Sequence, residues 1–501
     1  MENIKHMNYC VNEVLFEKSA EQSIDMEINL PEYCGDISSV LACFAFPNIT
    51  SSSLTPDSIQ VEGTILIRML YLSDGEIYSY EQSSAFSKRM DNDADTVGTI
   101  LDVRTFVQYV NCRPTNQRRA EVNGSFVIAV KGSTCREKNV IEAITGEDIQ
   151  VNKDIITACS ASGNASYPFH VSQVVDIGSN KPSIKSIIRN TALPIIEQTK
   201  QVSGKVLVKG ELKIRTLYKS EENTPELIEN SLPISQILDI QGMDENSTVD
   251  MKPNLTALDV AVKPSALGNM SLLDISAVVV LNACAYNCID FPVIKDAYST
   301  DYECECSYKD VKVDKILTQI ETDYMNTVEF QTNERVRKVI DVWCDDLQCS
   351  AQSENGNIAF SGTYKVFVLY ENDANTPALL EKEATFVFNE NSSVSGIINS
   401  EPTAQITGCD FVLKDNSLQI RANIRISAVV FECINQKVIE SVNIGEKLLV
   451  PEHQLCVYYC KKGESLWEIA RYFNTTVSSI RAENDLEQDT LSEDLPLLIW
   501  C

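Results

Sequence analysis

The sequence predicts a mainly β protein, with three tandem antiparallel β-sandwich or barrel-like domains followed by a small α+β module. Three observations lead to this prediction. One segment recurs three times along the chain, its apolar and polar residues alternate with a period near two, and a helical period of apolar residues follows only near the C-terminus. With 501 residues the chain is long enough for three or four domains of roughly 100–200 residues each.

The repeat is clearest in a strand-like segment that has glycine at its third position and Leu-Tyr near its end. It reads VEGTILIRMLYLS in Val61–Ser73, VKGELKIRTLYKS in Val208–Ser220 and FSGTYKVFVLYEN in Phe360–Asn372. Valine, isoleucine, threonine and tyrosine are frequent in these segments, and they favour the half-buried surface of a sheet. The three segments are therefore predicted to be equivalent β-strands.

The similarity extends upstream of these strands at constant spacing, as far as Asp36, Ser183 and Arg335. A match of this length at three places indicates three copies of one domain. We expect the following domains: copy 1 at 1–160, copy 2 at 161–312, copy 3 at 313–450, and the C-terminal module at 455–501.

The repeated glycines, Gly63, Gly210 and Gly362, have two interpretations. Either a neighbouring backbone approaches them closely, as at a β-bulge, or they mark the entry of the chain into the strand. The sequence favours neither interpretation over the other.

The charge balance limits the classes of partner. The chain carries 42 lysine and arginine residues against 71 aspartate and glutamate residues, for a formal net charge of −29. Nucleic-acid binding needs a basic face that neutralises phosphates, so we expect no nucleic-acid partner. The same balance argues against attachment to anionic lipids through charge alone. A partner surface is expected to be neutral or basic, although high net charge also serves solubility.

No segment has the pattern of a membrane-spanning helix. The most apolar stretch, Ile275–Ala285, has about half of the ~20 residues that such a helix needs, and it is predicted to be a buried strand. The first twenty residues lack a basic region followed by an apolar run, so no signal peptide is predicted. We therefore expect no transmembrane segment and a cytoplasmic location.

Seventeen cysteines are spread along the chain, a density too low for a disulfide-stapled scaffold. None of them has the Cys-x2-Cys spacing of zinc sites, and the three histidines lie far apart in sequence. We expect no metal and no other cofactor. Most thiols are expected to be small core residues, with others exposed and available for later oxidative cross-linking.

The sequence offers no recognisable catalytic set. Histidine is scarce, and neither a Gly-x4-Gly-Lys-Ser/Thr loop nor a Gly-x-Gly-x-x-Gly turn after a strand is present. Carboxylates are abundant, but nothing in the sequence marks one pair of them for acid–base work. We therefore predict that the protein is not an enzyme and has no catalytic residues.

The repeats resemble the SPOCS domain, which occurs in spore-coat proteins of Clostridia and their relatives. The resemblance rests on LPEYCGDISSVL (Leu30–Leu41), on the strand with glycine and Leu-Tyr, and on the triplication. It covers about residues 10–450 and is strongest in the first copy, because the other two lack the Leu-Pro-Glu-Tyr lead-in. It implies a role in the spore coat.

The apolar pattern becomes helical within Val457–Cys501. The residues that follow the i, i+3, i+4, i+7 pattern are Leu466, Ile469, Ala470 and Phe473. Ser465 is a candidate N-cap for this helix, and Thr476 is one for a second short helix. The apolar run Leu495–Trp500 is predicted to close the module as a strand.

This module resembles the LysM domain. Its KKGESLWEIA segment follows the family pattern Lys-x-Gly-Asp-Thr-Leu-Trp-x-Ile-Ala, with Glu464-Ser465 in place of Asp-Thr. The closing strand lacks the glycine and the final proline of the family. The resemblance implies a shallow groove for N-acetylglucosamine-containing glycans, formed by the loop after the first strand and the loop before the last.

Here those two loops correspond to Gly463–Leu466 and Gln488–Asp494. The resulting candidate ligand-binding residues are Gly463, Glu464, Ser465, Leu466, Asn484, Gln488, Asp489, Thr490, Leu491 and Asp494. The second loop has lost its glycine and gained carboxylates. An acidic groove suits a basic protein surface better than a neutral sugar.

The order of SPOCS repeats and LysM domain implies a non-enzymatic spore-coat assembly adaptor at the forespore surface, facing the mother-cell cytosol. It implies docking of the LysM domain onto coat proteins, in particular the coat basement-layer ATPase. The alternative is a peptidoglycan- or N-acetylglucosamine-binding protein of the cell wall or cortex. Free edge strands also leave self-assembly open.

Overall fold

Two antiparallel sheets build each copy of the repeat in the computed structural model. The structure describes residues 3–500 except 147, 179, 203, 333–334, 395, 415–416, 449–454, 487, 490 and 492. In copy 1 the sheets have the strand orders β2-β3-β4 and β1-β6-β5. Its strands are β1 (Asn3–Asn29), β2 (Ser39–Leu54), β3 (Ser58–Ser73), β4 (Glu76–Asp91), β5 (Ile100–Asn116) and β6 (Arg119–Thr145).

Copy 2 has the same arrangement, with sheets β8-β9-β10 and β7-β12-β11. Its strands are β7 (Ile149–Asp176), β8 (Ile184–Val202), β9 (Lys205–Ser220), β10 (Pro225–Asp239), β11 (Thr248–Pro264) and β12 (Met270–Ser299).

Copy 3 repeats it once more, with sheets β14-β15-β16 and β13-β19-β17, and with β18 also paired to β19. Its strands are β13 (Tyr302–Gln331), β14 (Val336–Glu354), β15 (Asn357–Asn372), β16 (Pro377–Glu390), β17 (Ile397–Asn399), β18 (Thr403–Lys414) and β19 (Ser417–Lys447). The C-terminal module follows as β20 (Leu455–Cys460), α1 (Leu466–Tyr472), α2 (Val477–Asn484) and β21 (Leu495–Trp500).

The register of the strands is the same in the three copies. β2 pairs with β3 at Val40↔Tyr71, β8 with β9 at Ile187↔Tyr218, and β14 with β15 at Val339↔Tyr370. One residue of β2, β8 and β14 is then skipped in each pair. Such a skip is a β-bulge, and its recurrence at the same place identifies the repeat in three dimensions. The predicted mainly β fold with three tandem domains is confirmed.

The upstream positions of the repeat are also equivalent. Asp36, Ser183 and Arg335 lie between the first and second strands of their copies, just before β2, β8 and β14. The next residue is apolar and buried in the core of its own copy in all three cases: Ile37, Ile184 and Val336.

The repeated glycines lie within β3, β9 and β15 rather than at their entries. A methyl group on any of them would overlap a backbone carbonyl oxygen of the paired strand, those of Asn48, Ile195 and Gln348. The close-approach interpretation of Gly63, Gly210 and Gly362 is therefore confirmed, and strand entry is wrong. Only glycine allows the strands to pass at this distance.

Three long two-stranded antiparallel ribbons extend beyond the sandwiches and pack against one another. They are formed by β1 with β6, β7 with β12, and β13 with β19. We call this region, residues 3–14, 133–145, 149–161, 286–299, 302–316 and 431–447, the stalk. Its apolar core combines side chains of all three copies, including Tyr9, Phe291 and Val313.

The connections between the copies lie together at the end of the stalk, which we call the tip. Asp148 lies between copies 1 and 2, and its carbonyl oxygen accepts a hydrogen bond of 2.9 Å from the amide of Thr300, between copies 2 and 3. The amide of Leu448, which leads to the C-terminal module, donates a bond of 2.8 Å to the carbonyl of Asp301. All three connections therefore converge at the tip.

The predicted domain boundaries at 160/161 and 312/313 fall inside β7 and β13. Strand pairing instead favours divisions at the turns before Ile149 and Tyr302, because β7 pairs with β12 and β13 with β19. We propose these turns as the boundaries. Among the described residues, no helix has the length and apolarity needed to cross a membrane.

The three copies also meet at the sandwich end. Leu70, Leu217 and Leu369, which occupy the same position of the repeat, share one buried cluster with Trp343 and Phe367. Burial of these side chains joins the copies through the hydrophobic effect. The copies therefore contact each other both at this sandwich end and in the stalk.

An ion network crosses this cluster. Asp341 of copy 3 accepts from Arg189 of copy 2 at 2.6 Å and lies 2.9 Å from Arg215. The Arg189 guanidinium also lies 4.1 Å from the centre of the Trp343 ring, a cation–π geometry. Burial lowers the pKa of Arg189, and the Asp341 charge opposes that shift. The network is nearly closed to water, since the side chains of Asp341 and Arg189 are 0% and 4% exposed.

Replacing Asp341 with alanine should strongly destabilise the fold. Arg189 would remain buried without a counter-charge, and Arg215 would keep only the exposed Glu229, at a combined cost of about 3–5 kcal/mol. Chemical denaturation followed by fluorescence measures the change. As a matched control, Asp239→Ala removes an exposed partner of Lys205 and should cost less than about 1 kcal/mol. Equal midpoints for the two variants would contradict the importance of the buried network.

A second ion cluster joins copies 1 and 3. Glu401, which follows β17, accepts from Lys131 at 2.5 Å and pairs with Arg104. Burial raises the pKa of Glu401, but Lys131 and Arg104, with Lys252 of copy 2 nearby, lower it overall to about 2. A carboxylate in this position therefore contributes to stability only while it is ionised.

We expect Glu401→Gln to lower stability at pH 7 by about 1–2 kcal/mol, with the difference shrinking in acid. The pKa of Glu401 is below its unfolded value, so its contribution is complete above about pH 4.5 and is lost as pH falls towards 2. Urea midpoints of both proteins at pH 7, 5 and 3 provide the measurement. A difference that grows in acid would have the wrong sign.

Among the described residues, one disulfide is present, between Cys159 on β7 and Cys288 on β12, which lie directly opposite each other. The sequence predicts that most thiols are small core residues. Of the described cysteines outside the disulfide, Cys460 is fully buried, Cys135 is exposed and the others are half-buried. Several of the half-buried thiols, such as Cys43 and Cys344, pack against the edge of an apolar core.

Candidate binding site

The C-terminal module folds as strand, helix, helix and strand, as the sequence predicts. The Ser465 hydroxyl accepts a hydrogen bond of 3.2 Å from the amide of Trp467 and so caps α1. Thr476 caps α2 through a bond of 3.0 Å from the amide of Ser479. The two predicted caps are confirmed, and they fix where each helix begins.

The two loops predicted to form the groove are hydrogen-bonded to each other. The amide of Gly463 donates to the carbonyl of Leu491 at 2.9 Å, and the amide of Leu491 donates to Glu464 at 3.2 Å. The amide of Leu466 donates to the carbonyl of Asp489 at 2.8 Å. These three amides are therefore used within the fold, although in the LysM family a glycan is read largely by backbone groups.

Three of the candidate residues have structural roles. The side chains of Leu466 and Leu491 are 0% and 4% exposed and belong to the core of the module. Asn484 holds β21 against α2, because its amide group donates to the carbonyl of Leu498 and accepts from the amide of Leu498, both at 2.7 Å. These side chains are therefore not on the outer surface of the loops.

The remaining candidates lie at the surface. Gly463, Gln488, Asp489 and Asp494 are exposed, and Glu464 and Ser465 are half-buried. The Asp489 carboxylate lies 2.7 Å from the Arg481 guanidinium. The Asp494 carboxylate accepts from the amide of Lys462 at 2.7 Å. Thr490 lies outside the described residues.

The module is attached to the stalk through Asp296, at a β-bulge in β12. One oxygen of its carboxylate accepts from the Trp467 indole at 2.8 Å and from Arg471 at 2.7 Å. The other oxygen accepts from the Tyr308 hydroxyl of β13 at 2.9 Å. Asp296 thus joins two strands of the stalk to α1.

Tyr298 completes this junction. Its hydroxyl donates to the carbonyl of Thr475 at 2.7 Å, and its ring packs edge-on against Trp467 at 4.9 Å. Burial raises the pKa of Tyr298 to about 12, and Asp296 adds to the shift, so the hydroxyl remains a donor at neutral pH. The Trp467 side chain therefore packs between the module and the stalk.

A shallow cleft of about 540 Å³ lies beside the junction. Its lining includes Asn152 and Asp296 from the stalk and Glu468, Arg471 and Tyr472 from the module. The side chain of Tyr472 is 77% exposed. Charged groups of both signs line the cleft, and Arg471 and Asp296 neutralise each other, so it offers no concentrated charge for a ligand.

The outer face of the two-stranded β20–β21 sheet is an exposed apolar surface. Successive strand residues point to opposite sides, so one side packs on the helices and the other faces outward. Leu455 pairs with Trp500, and Val457 with Leu498. The exposed apolar residues, which we call the β20–β21 face, are Leu455, Val457, Tyr459, Leu498 and Trp500. Leu455–Cys460 reads LCVYYC, with apolar residues on both sides of the strand, so the sequence does not show that one side stays uncovered.

The chain combines tandem β-sandwiches with a small C-terminal module that has an exposed apolar face, an arrangement typical of a multidomain binding protein. Residues 36–115 and 183–263 match the family described as SipL, SPOCS domain, and residues 458–500 match the LysM domain. The chain therefore carries two SPOCS domains of the SipL type and one C-terminal LysM domain. These domains fit a protein associated with the spore coat. No curated protein and no solved structure matches the chain.

The third copy is not covered by either matched region of the SPOCS family. Its register and its close-approach glycine agree with those of copies 1 and 2. We propose that it is a diverged SPOCS domain. Within the described residues, no group of three or more histidine, cysteine, aspartate or glutamate side chains is arranged to hold a metal ion.

Asp296→Ala should loosen the LysM domain from the stalk. The change removes the acceptor shared by Trp467 and Arg471, a loss of about 2–3 kcal/mol for hydrogen bonds to a charged group. We expect faster hydrogen exchange in α1 and at least about tenfold faster proteolytic release of the domain. Asp290→Ala is the control, because Asp290 lies on the same strand and accepts from the exposed Thr157. Unchanged exchange in α1 would show that Asp296 does not hold the domain.

Proposed function

We propose that the protein is a non-enzymatic scaffold for assembly of the spore coat, and that its LysM domain binds a protein partner. The β20–β21 face is the observation that carries this proposal. An exposed apolar surface rimmed by polar residues is typical of a protein–protein contact.

The loops support the same conclusion. The amides of Gly463, Leu466 and Leu491 are occupied by carbonyl groups of the facing loop. These three amides are therefore not free to donate to a glycan in the groove. The exposed carboxylates of Asp489 and Asp494 favour a partner with a neutral or basic surface over one with a negative charge.

The resemblance to SipL indicates where such a scaffold acts. It favours a position at the forespore surface on the mother-cell side, and it favours the basement-layer ATPase of the coat as the partner of the LysM domain. The three sandwiches would then present further surfaces to other coat proteins. Several weak contacts on one chain increase the overall affinity without a single strong site.

The junction at Asp296 supports a scaffold of defined shape. Trp467 and Arg471 both contact this carboxylate, and Tyr298 contacts α1 and the chain after it. The LysM domain is therefore held in one orientation on the stalk. A partner bound to the β20–β21 face would be placed at a fixed distance from the sandwiches.

Val457→Asp and Leu498→Asp should each weaken binding of the full-length protein to the purified basement-layer ATPase of the same organism by at least about tenfold. Each change places a charge in the centre of an apolar contact. Biolayer interferometry measures the affinity. Ser478→Asp, on an exposed position of α2, is the control for added charge and should leave the affinity unchanged.

Sedimentation with purified peptidoglycan tests the alternative. Retention of the wild type on peptidoglycan, with no affinity for the ATPase, would contradict the proposal and favour a glycan-binding protein. If Val457→Asp, Leu498→Asp and the control Ser478→Asp all bind the ATPase with equal affinity, the β20–β21 face is not the contact.

A further inference from the structure

Two pairs of free cysteines lie between the two sheets of a sandwich. In copy 3, the Sγ atoms of Cys344 on β14 and Cys409 on β18 are 3.4 Å apart. In copy 1, Cys43 on β2 lies directly opposite Met69, and the Sγ atom of Cys112 on β5 donates to the Sδ atom of Met69 at 3.5 Å, so both thiols lie beside the same side chain at the edge of the apolar core. β2 and β14 are equivalent strands, and β5 and β18 occupy the same place in the opposite sheet.

The two pairs occupy neighbouring positions on the same faces. Cys43 lies opposite Met69, whereas Cys344 lies opposite Val366, which corresponds to Ile67 in copy 1. The pair in copy 3 is therefore displaced by two residues along the strands. A displacement of two keeps a side chain on the same side of its strand.

We propose that both pairs are oxidation sites, at which a disulfide joins the two sheets of copy 1 through Cys43 and Cys112 and those of copy 3 through Cys344 and Cys409. A disulfide has a sulfur–sulfur distance of about 2.05 Å, so the sulfur atoms of copy 3 need to approach by only about 1.4 Å. All four side chains are half-buried, so a small oxidant reaches them without unfolding of the sandwich.

The oxidant is a small-molecule disulfide. The thiolate of one cysteine attacks a sulfur atom of this molecule, forms a mixed disulfide and releases one small thiolate. The second cysteine then attacks the protein sulfur and releases the other small thiolate. Two electrons pass from the protein to the small disulfide, and the two protons of the cysteine thiols end on the two released thiols.

The environment of copy 1 distinguishes the two cysteines of its pair. The interaction with Cys43 lowers the pKa of Cys112, and the interaction with Cys112, together with burial, raises the pKa of Cys43. In copy 3 the interaction with Cys409, together with burial, likewise raises the pKa of Cys344. The contact between the two thiols of a pair thus changes their pKa values, as expected for groups that lie close together.

Copy 2 provides an internal comparison. Its equivalent strands, β8 and β11, contain no cysteine. Its disulfide, Cys159–Cys288, joins neighbouring strands of one sheet within the stalk. Oxidation would therefore fasten the sandwiches of copies 1 and 3 but not that of copy 2.

The test uses the full-length protein, first reduced and then incubated with glutathione disulfide at neutral pH. Non-reducing peptide mapping by mass spectrometry should find the bonds 43–112 and 344–409 in addition to 159–288, in a monomeric protein. Closing loops of this length should raise the melting temperature by roughly 5 °C.

Variants separate the two sites. Cys344→Ala should abolish the bond of copy 3 and leave that of copy 1, and Cys112→Ala should do the reverse. Cys284→Ala is the control, because Cys284 is a half-buried free cysteine of copy 2, and it should leave both bonds intact. Stable glutathione adducts, bonds between molecules, or different pairings at these four cysteines would overturn the proposal. These outcomes do not depend on whether the LysM domain binds the ATPase.

Discussion

Leu70, Leu217 and Leu369 occupy one position of the repeat, and all three are buried only because the copies meet there. A sandwich of two three-stranded sheets covers its own centre, but its ends leave apolar side chains in water. Contact between the copies removes that surface at the sandwich end and again in the stalk. The arrangement of the whole chain follows from this burial, since no copy could satisfy it alone.

Polar groups add specificity to the same contacts. Asp341 can be buried only where two arginines of another copy reach it, and Glu401 is ionised because Lys131 and Arg104 lie against it. Apolar contacts tolerate small rotations between copies, whereas these charges do not. The ion networks therefore select one arrangement among several that would bury similar apolar area.

Much of this architecture could be predicted from the sequence. Tyr71, Tyr218 and Tyr370 mark equivalent strands because a period of two and a repeated glycine persist in all three copies. The long ribbons of the stalk were not predictable in the same way. Their outer halves are buried by other copies rather than by their own sheet partner, so local alternation does not show what covers them.

The site was predicted less well than the fold. The LysM motif places the two helices and their caps correctly, because capping depends on local residues such as Ser465. The role of Trp467 depends on Asp296, which lies far away in the sequence, and no local pattern connects them. Leu466 and Leu491 belong to the predicted loops, but their side chains turn inward to fill the core.

All connections between the copies, and the start of the LysM domain, lie at the tip, next to Asp148, Thr300 and Leu448. Within the described residues, the opposite end carries turns within single sandwiches. The molecule therefore has polarity, with one end that combines attachment and chain continuity and one end that is free of both. A layer built from such units would acquire an inner and an outer side from the direction of each unit, without any further component to set it.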